Sequence, residues 1–550
     1  MYKKTEKFGY LKNSPIIFIF IIYFVVGSQI YTDFGFYIDE KFHRANGFYW
    51  LNYVSNYFGF EEIEQISKGK LNEISGFTLP DIKNWNKYGV IFDLPAAYLE
   101  VILNIKEPVK YYELRHFLVF LIFFIGTIFF YKSLNNRFDN KFISLLGTIL
   151  LILTPRLFGD SFWNNKDIIF LSFYIISIFW FFRLIDKQSN KNIILFSLFS
   201  AVATTIRIAG IFLPISLIFF WILNFISKRK DINIRAISIY LFFFILFLTI
   251  FWPLLWSEWP ASLFSIFNLD MSWSGKVNFL GNYYKSSHLP QYYLLFWIIV
   301  STPIIHLLLC IHGISNYSKR LIHRYFNIKS HCIYNDLWRS NNEKKDFFIF
   351  TNLIFFICLL SLLNIHLYNS WRLGYFLYIF LIYFSTYSIY LLVKRFKPQI
   401  IKLILVLFIS ILFLSYRLSL YHPYQSLYFN LIVPENIKEQ LDVDYTGLSG
   451  ISFLKEIIKK EPGTHKINIA VNSWYPLWRM KELLEKKDRE RVVIYATDKK
   501  SEADYIFSNR IYDVDKKYHK KYDLPINFKK IKEFKVDKTI IYEVYAKVDQ

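Results

Sequence analysis

Cysteine is scarce in this chain of 550 residues, which contains only three. Cys310 and Cys358 lie in apolar runs, and Cys332 lies in a basic connector. None of the three has the spacing of a metal-binding motif, and the segments expected to face outward contain no cysteine. The sequence therefore excludes a cysteine-based metal site and, for the outward segments, a disulfide framework.

Glycine-rich phosphate loops are also absent from the sequence. The chain has no G-x-x-x-x-G-K-S/T motif and no G-x-G-x-x-G motif after a predicted strand. Such loops cradle nucleotide phosphates with backbone N–H groups. Their absence argues against a soluble nucleotide-binding site. The sequence also shows no internal repeat and no low-complexity linker.

Apolar and aromatic residues are abundant instead. The chain is 54% hydrophobic and 21% aromatic, with a mean hydropathy of +0.27. These values exceed those of ordinary soluble domains and indicate an integral membrane protein with a soluble part. The net charge of +22 would suit a nucleic-acid binder. However, Lys and Arg cluster in short connectors between apolar runs, as they do in cytoplasmic loops of membrane proteins.

The apolar runs predict about eleven transmembrane helices, since a span needs roughly 20 apolar residues. With the N-terminus inside, connectors rich in Lys and Arg fall inside and those with scattered cations fall outside. This asymmetry predicts a cytoplasmic N-terminus in the cytoplasmic membrane, with everything after Tyr416 outside. The predicted spans are 16–32, 115–131, 142–155, 168–182, 192–204, 208–226, 236–253, 292–313, 347–364, 373–393 and 399–416.

The segment 90–105 is fairly apolar but carries Asp93 and Glu100. If it crossed the membrane, every later loop would break the charge bias. We therefore predict an amphipathic helix that lies in the outer interface. Residues 33–114 would form a large outer loop with interfacial helices, whose charges are solvated on one face.

Residues 417–550 change in character and are predicted to form a small extracytoplasmic α/β domain, following a membrane domain over 1–416. This tail carries many more charges, and its apolar runs have the length of strands. Residues 476–486 predict an intervening helix. Strands that alternate with a helix are typical of α/β domains. The predicted strands are 467–472, 491–496, 503–508 and 539–545.

An acidic pair, Asp39-Glu40, follows the first apolar segment. Two adjacent carboxylates at a membrane–water boundary cost solvation free energy, so ionisable groups in this position are usually functional. A reaction at the membrane face is therefore the first hypothesis. The simpler alternative is that both residues cap the next helix, because carboxylates favour helix N-termini.

Other outer loops add charges of both signs. The loop 156–167 supplies Asp160, Lys166 and Asp167, and Arg207 stands alone between two apolar runs. An arginine flanked by apolar helix is expensive unless it holds an anion. Carboxylates and cations at one face suit a phosphate-bearing lipid substrate, because cations bind phosphate and a carboxylate accepts a proton from a hydroxyl. Without nucleotide loops, a lipid-linked donor is favoured over a nucleotide sugar. Two further cations, in the outer loop 254–291, are interpreted as ordinary loop charges: Lys276 and Lys285.

An ordered series of motifs over residues 16–450 is similar to one group of membrane enzymes. The motifs are Asp39-Glu40 with His43, 155–159 leading to 165–167, 203–208, 273–277 with 281–284, 301–303, 369–372, 422–425 with 428–430, and 444–449. In this series the chain resembles the GT-C glycosyltransferases. Within them it looks most like glycosyltransferase family 39, the dolichyl-phosphate-mannose–protein mannosyltransferases and their bacterial relatives. It departs from them at Asp160 and Leu373-Gly374, where relatives often carry His.

The resemblance implies roles for individual residues. Asp39 would be the base that activates the acceptor, with Glu40 beside it orienting the loop, and Asp167 would be the acid of the second loop, where Asp160 also lies. Some family members use a divalent ion, and whether a metal binds here is left open. The cations that would bind the donor phosphate are Arg207, Lys166 and Arg372, and the weak candidates for metal ligands are Asp39, His43 and Asp167.

The sequence thus predicts a polytopic α-helical membrane protein of the GT-C type with a C-terminal extracytoplasmic α/β domain. Its predicted activity is inverting transfer of a hexosyl or pentosyl group from a polyprenyl-phosphate donor to an acceptor hydroxyl at the outer membrane face. The acceptor would be a protein, a glycolipid or a polysaccharide, and nucleic acid is not expected as a partner. The alternative is a transporter or flippase of an anionic lipid, which would more often show repeat symmetry and broken helices near mid-membrane.

Overall fold

The computed structural model describes residues 14–74, 89–226, 234–265, 275–326, 338–362, 366–396, 400–515 and 519–548. Helices dominate the described parts of 14–420, and β1 (Lys276–Phe279) and β2 (Asn282–Lys285) form a hairpin there. The helices are α1 (Ser14–Ile30), α2 (Glu40–Phe58), α3 (Glu61–Glu73), α4 (Asp93–Ile102), α5 (Pro108–Phe138), α6 (Lys141–Ile152), α7 (Pro155–Asp160), α8 (Asp167–Asp186), α9 (Asn190–Ile206), α10 (Phe212–Ile226), α11 (Ile234–Phe251), α12 (Ala261–Ser265), α13 (Tyr293–Ser301), α14 (Ile304–Phe326), α15 (Asn341–Leu362), α16 (Tyr378–Arg395) and α17 (Ile400–Leu420).

Among the described residues, seven helical segments have the length and composition to cross a membrane. They are Pro108–Phe138, Asp167–Asp186, Ile208–Phe225, Ile234–Phe251, Asn341–Leu362, Arg372–Arg395 and Ile400–Leu420. The shorter apolar helices α1, α6 and α9 lie at three more predicted spans. The predicted class of a polytopic helical membrane protein is confirmed.

The remaining predicted span, 292–313, is wrong as a single helix, because the chain breaks between α13 and α14. Pro303 lies at the break, where its ring and missing N–H interrupt helical hydrogen bonding. The freed carbonyls gain another partner: Asn430 Nδ2 donates to the oxygens of Ile299 (2.6 Å) and Thr302 (2.9 Å). This contact joins the bundle to the segment that leads into the C-terminal domain.

Helix α4 agrees with the prediction that residues 90–105 do not cross the membrane. Its ten residues extend roughly 15 Å, about half the hydrocarbon thickness. The predicted solvation of the loop's charges is wrong, since Asp93 and Glu100 are each 1% exposed. Glu100 accepts from Arg44 Nη2 (2.6 Å) and Arg115 Nη1 (3.1 Å). Buried charges need such partners, so the loop packs as a folded layer on the bundle.

The opposite end of the bundle is joined by another buried ion network. Arg137, in the last turn of α5, donates two hydrogen bonds of 2.6 Å to Asp346 near the start of α15. The next residue, Lys345, lies 2.8 Å from Asp186 at the end of α8. Three helices are therefore held together at their ends by charge pairs that are largely shielded from solvent.

The C-terminal domain contains a five-stranded sheet with the strand order β4-β3-β5-β7-β6. Strands β3, β4 and β5 are parallel, and β7 pairs antiparallel with β5 and β6. Helix α19 packs on the sheet through Phe453, whose ring centroid lies 4.8 Å from that of Phe507. The elements are α18 (Glu435–Lys438), α19 (Ser449–Lys460), β3 (Ile467–Val471), α20 (Lys486–Arg491), β4 (Val492–Tyr495), β5 (Tyr505–Ser508), β6 (Phe528–Val536) and β7 (Thr539–Lys547).

All four predicted strands are present in this domain, but one further strand was not predicted and the predicted helix differs. Strand β6 escaped the sequence analysis because its lysine-rich sequence, FKKIKEFKV, lies at a sheet edge, where lysines are favoured. The predicted helix 476–486 is a 3₁₀ turn over Leu477–Leu483, followed by α20. The 3₁₀ period of three residues brings Leu477 and Met480 onto one face, and both are fully buried.

Candidate active site

Asp39 lies directly before α2. Its side chain is 42% exposed and makes no capping hydrogen bond to the helix. The carboxylate instead accepts a hydrogen bond from the Tyr37 hydroxyl through Oδ2, and Nη2 of Arg372 lies 3.5 Å from the same oxygen. The alternative role, a side-chain cap, is therefore not the one this carboxylate adopts.

Glu40 is placed quite differently from its neighbour. Its side chain is 3% exposed, and its two oxygens hold the Tyr37 backbone N–H (3.1 Å) and His116 Nε2 (2.7 Å). Neighbours in a helix diverge by about 100° around its axis, and here one is partly exposed while the other faces α5. Glu40 fixes the entry into α2 and is buried.

A second carboxylate, Asp167, is the first residue of α8 and bridges two arginines. Nη2 of Arg207 lies 2.5 Å from Asp167 Oδ1, and Nη1 of Arg372 lies 4.0 Å from Oδ2. Asp167 is almost completely buried, while the side chain of Arg207 is 20% exposed. Asp39 and Arg207 are therefore the partly exposed members of this group, and Asp167 and Arg372 are its buried members.

The conformation of the chain before Arg372 is unusual. Asn369 (φ 53°) and Ser370 (φ 62°) both lie in the left-handed region. Residues other than Gly seldom adopt this conformation. The next residue, Trp371, is buried and donates from Nε1 to Ser301 Oγ (2.8 Å). Two such residues in succession mark a strained turn, and strain of this kind concentrates at functional sites. The turn directs Arg372 toward Asp39 and Asp167.

The loop between α7 and α8 links this site to a neighbouring cluster on Asp93. Asn164 Nδ2 donates to Asp167 Oδ2 (3.1 Å), whereas Lys166 Nζ donates to Asp93 Oδ2 (2.9 Å). His43 Nδ1 also approaches Asp93 Oδ2 (3.6 Å). Burial alone would raise the pKa of Asp93, but Lys166 and His43 more than offset it and hold that pKa below its usual range.

Asp160 does not join either carboxylate centre directly. It is fully buried, and Asn164 Nδ2 donates to its Oδ2 (3.2 Å). Burial raises the pKa of Asp160 to about 7, although its hydrogen bonds oppose the rise. Its side chain has no exposed surface. This position suits a structural group better than a catalytic one.

We expect Asp160→Asn to stabilise the protein more at pH 8 than at pH 4. A carboxyl group whose pKa is raised by folding costs stability above its unfolded pKa of about 3.9. That cost grows until the pH passes the folded pKa near 7. Melting temperatures of the wild type and the variant in detergent, measured from pH 4 to pH 8, check this. An increase in melting temperature that is the same at every pH would contradict the raised pKa of Asp160.

The structure does not assemble the metal ligands suggested by the sequence. Across the described ranges, no group of three His, Cys, Asp or Glu side chains is placed to hold a metal ion. His43 faces Asp93, whereas Asp39 meets Tyr37 and Asp167 meets the two arginines. Asp39, His43 and Asp167 therefore do not form one cluster in the described parts of the chain.

Four predicted site residues come together: Asp39, Asp167, Arg207 and Arg372. Lys166 and His43 belong to the adjacent Asp93 cluster instead, where the side chain of Lys166 is only 7% exposed. Sequence reasoning missed the importance of Asp93. A signal was present, because an acid inside an apolar segment is as expensive as the arginine at position 207.

Comparison with known proteins supports the family predicted from the sequence. Residues 114–256 match the family model described as dolichyl-phosphate-mannose-protein mannosyltransferase. This stretch includes Asp160, Lys166, Asp167 and Arg207, and the match confirms the predicted resemblance. No curated protein matches the chain.

Several solved structures are similar to this chain at low sequence identity. ArnT from Cupriavidus metallidurans in the apo state has 10% identity and a TM-score of 0.48, over 91% of this chain and 94% of that one. The same protein bound to undecaprenyl phosphate has 9% identity and a TM-score of 0.48, over 96% and 98%. The apo oligosaccharyltransferase of Archaeoglobus fulgidus has 11% identity and a TM-score of 0.40, over 77% and 62%.

Proposed function

We propose that this chain, whose residues 114–256 match the dolichyl-phosphate-mannose-protein mannosyltransferase model, is an inverting membrane glycosyltransferase. It would move a sugar from a polyprenyl-phosphate donor to an acceptor hydroxyl. The observation that carries the proposal is an accessible carboxylate, Asp39, beside Arg372, which shares the buried carboxylate of Asp167 with Arg207. A base next to an anion-binding pair is what glycosyl transfer from a phosphate ester requires.

Asp39 is the proposed general base because it is open to solvent yet held in one orientation. Arginine can only donate hydrogen bonds, so Arg372 Nη1 donates to the Tyr37 oxygen and the Tyr37 hydroxyl must donate to Asp39. Burial raises the pKa of Tyr37 well above its usual value, so this hydroxyl keeps its proton. One carboxylate oxygen is thus fixed by Tyr37, and Asp39 Oδ1 is left to meet an acceptor hydroxyl.

Arg207 is the proposed primary ligand of the donor phosphate. Its guanidinium is partly exposed and held against Asp167 at 2.5 Å, and its planar fork of N–H donors matches phosphate oxygens. Arg372, more deeply buried, would add positive charge. Lys166 is a weaker candidate for binding the phosphate than the sequence suggests, since its ammonium group donates a hydrogen bond to Asp93.

The proposed reaction is a single displacement. The acceptor oxygen attacks the anomeric carbon while its proton passes to Asp39, and the bond from that carbon to the phosphate oxygen breaks. The polyprenyl phosphate leaves with an added negative charge, which the two arginines would stabilise electrostatically. Because attack and departure occur on opposite faces of the sugar, the anomeric configuration inverts.

The proposed location is the outer face of the cytoplasmic membrane, with the N-terminus inside and the C-terminal domain outside. The distribution of Lys and Arg supports this orientation. At the end of the bundle opposite Asp39, basic residues such as Arg137, Arg320 and Lys345 surround the helix ends. The domain limits 1–416 and 417–550 remain part of the same proposal.

Deleting the gene and measuring lipid-linked sugars and surface glycans by mass spectrometry tests the proposed function. We expect one polyprenyl-phosphate sugar to accumulate and one sugar to disappear from a surface glycan or glycoprotein. Complementation with the wild-type gene should reverse both changes, whereas complementation with the Asp39→Asn variant should not. Unchanged lipid-linked sugars and glycans in the deletion strain would refute the proposal.

Tyr37→Phe is expected to lower kcat about 10- to 100-fold. A hydrogen bond to a charged group contributes roughly 1.5–3 kcal/mol, and a tenfold change corresponds to about 1.4 kcal/mol. Because Tyr37 acts through Asp39, KM for the donor should change less than threefold. Kinetics of the purified variant measure both values, with Tyr174→Phe as the control because it also removes a fully buried hydroxyl. Equal losses in the two variants would assign Tyr37 a packing role only.

A further inference from the structure

One end of the C-terminal sheet faces α17 and the loop that carries Asp39. Strands β4, β3 and β5 run parallel, so their carboxyl ends lie together at this end of the sheet. Ligands of open α/β sheets bind at that end. The β6–β7 turn lies at the same end of the sheet. There Arg417 of α17 donates from Nη2 to Asp537 Oδ2 (2.5 Å). Asn509, which follows β5, donates from Nδ2 to the Asp444 carbonyl (2.9 Å).

The 3₁₀ turn that follows β3 lies directly on the loop that carries Asp39. Arg479 donates from Nη1 to the carbonyl of Ile38, the residue before Asp39. Glu482 Oε1 accepts from Lys41 Nζ at 2.6 Å. The proposed base is therefore bracketed on both sides by contacts with a single turn of the C-terminal domain.

Trp478 of this turn stays exposed although the turn contacts the loop that carries Asp39. Trp474 is 47% exposed and Trp478 is 45% exposed, while Leu477 between them is fully buried. Lys41 Nζ lies 5.0 Å from the centroid of the Trp478 ring. The buried Leu477 anchors the turn, so the exposed Trp478 ring is held on a fixed base and is flanked by charged groups.

We propose that Trp478 is a platform on which a sugar ring of the acceptor stacks. The inference rests on the proposed function and narrows its acceptor to a carbohydrate-bearing molecule. One face of a pyranose presents C–H groups, which match the apolar, electron-rich face of an indole. The ring hydroxyls would lie near Lys41 and Glu482, a donor and an acceptor within reach of the same ring.

The position of Trp478 in the chain favours this occupant over the lipid interface. Arg479, its direct neighbour, contacts the backbone one residue before Asp39, so a ring on Trp478 lies next to the proposed base. An acceptor held there could present a neighbouring hydroxyl to Asp39 while the rest of the molecule remained in solvent. A platform that only touched lipid would not need a charged pair at its edge.

The test uses the full-length protein in nanodiscs with an undecaprenyl-phosphate sugar as donor. Acceptors are a panel of methyl glycosides and short oligosaccharides, and a panel of Ser/Thr peptides. Trp478→Ala should raise KM for the preferred saccharide about tenfold, with kcat and donor binding changed less than threefold. Trp478→Phe should restore most of the affinity. Trp259→Ala is the matched control, because Trp259 is 56% exposed and lies on another outer loop.

The outcomes separate this inference from the function on which it rests. Transfer to peptides alone, or equal KM values for Trp478→Ala and Trp259→Ala, would refute sugar stacking on Trp478. Neither result would refute the proposed glycosyltransferase activity. Loss of brominated-lipid quenching in Trp478→Phe would place the ring in the membrane and would also refute sugar stacking on Trp478. Absence of transfer to any acceptor, with no donor consumed, would refute the proposed function itself.

Discussion

Asp39→Asn is expected to reduce turnover by about 10²–10⁴-fold, the usual contribution of a general base. The substitution keeps the shape of the side chain and an oxygen that can accept from Tyr37. It removes the group that takes the acceptor proton. Donor affinity and melting temperature should therefore remain close to those of the wild type, because the arginines and the buried core are unchanged. Steady-state kinetics of the purified enzyme with its lipid-linked donor measure the effect.

Two neighbouring carboxylates provide the controls for this variant. Asp33→Asn removes an exposed carboxylate that pairs with His422 at 2.8 Å, and exposed pairs contribute little, so its activity should stay near the wild type. Glu40→Gln should cost less turnover than Asp39→Asn and lower the melting temperature, since Glu40 is the buried partner of His116. Full activity of Asp39→Asn would remove Asp39 from the mechanism.

Arg207→Ala is expected to weaken donor use about 10- to 100-fold. A hydrogen bond to a charged group is worth roughly 1.5–3 kcal/mol, and the loss should appear in KM for the donor and in kcat. The variant also leaves the buried Asp167 with Asn164 and the more distant Arg372 (4.0 Å), which adds an electrostatic penalty to phosphate binding. Arg207→Lys should recover part of the loss, because it restores charge without the bidentate fork.

Titration of the variants with undecaprenyl phosphate, the expected product, measures this effect apart from chemistry. Arg183→Ala serves as the control, since Arg183 is an exposed cation at the opposite end of α8. The double variant Arg207→Ala/Asp167→Asn should bind better than Arg207→Ala alone, because it removes the uncompensated carboxylate. Unchanged product affinity in Arg207→Ala would return Arg207 to a structural role beside Asp167.

Much of the fold could be predicted because its signals are local. Apolar runs and the charge of their connectors located the helices, and alternating apolar runs located four of the five strands in the C-terminal sheet. The break at Pro303 was missed because apolar residues continue on both sides of it, so hydropathy alone shows one run. Strand β6 was missed because its lysines suit an edge, a position that only the folded sheet defines.

The site was only partly predictable for the same reason. Asp39, Asp167, Arg207 and Arg372 could be found because each is a charge at the end of an apolar segment. Which charged side chains pair with each other is decided by packing between distant parts of the chain. The sequence around Lys166 therefore did not show that it binds Asp93 rather than a phosphate. Tyr37 gave no signal at all, since one tyrosine among 41 reveals its role only through its contacts.

The most direct measurement of the central claim is the fate of a labelled donor in a single turnover. The purified protein in nanodiscs is mixed with an undecaprenyl-phosphate sugar carrying ¹³C at its anomeric carbon, and the products are followed by NMR and mass spectrometry. We predict release of undecaprenyl phosphate together with a glycoside of inverted anomeric configuration, both abolished in Asp39→Asn. Retained configuration, or consumption of the donor at the same rate by Asp39→Asn, would contradict the account.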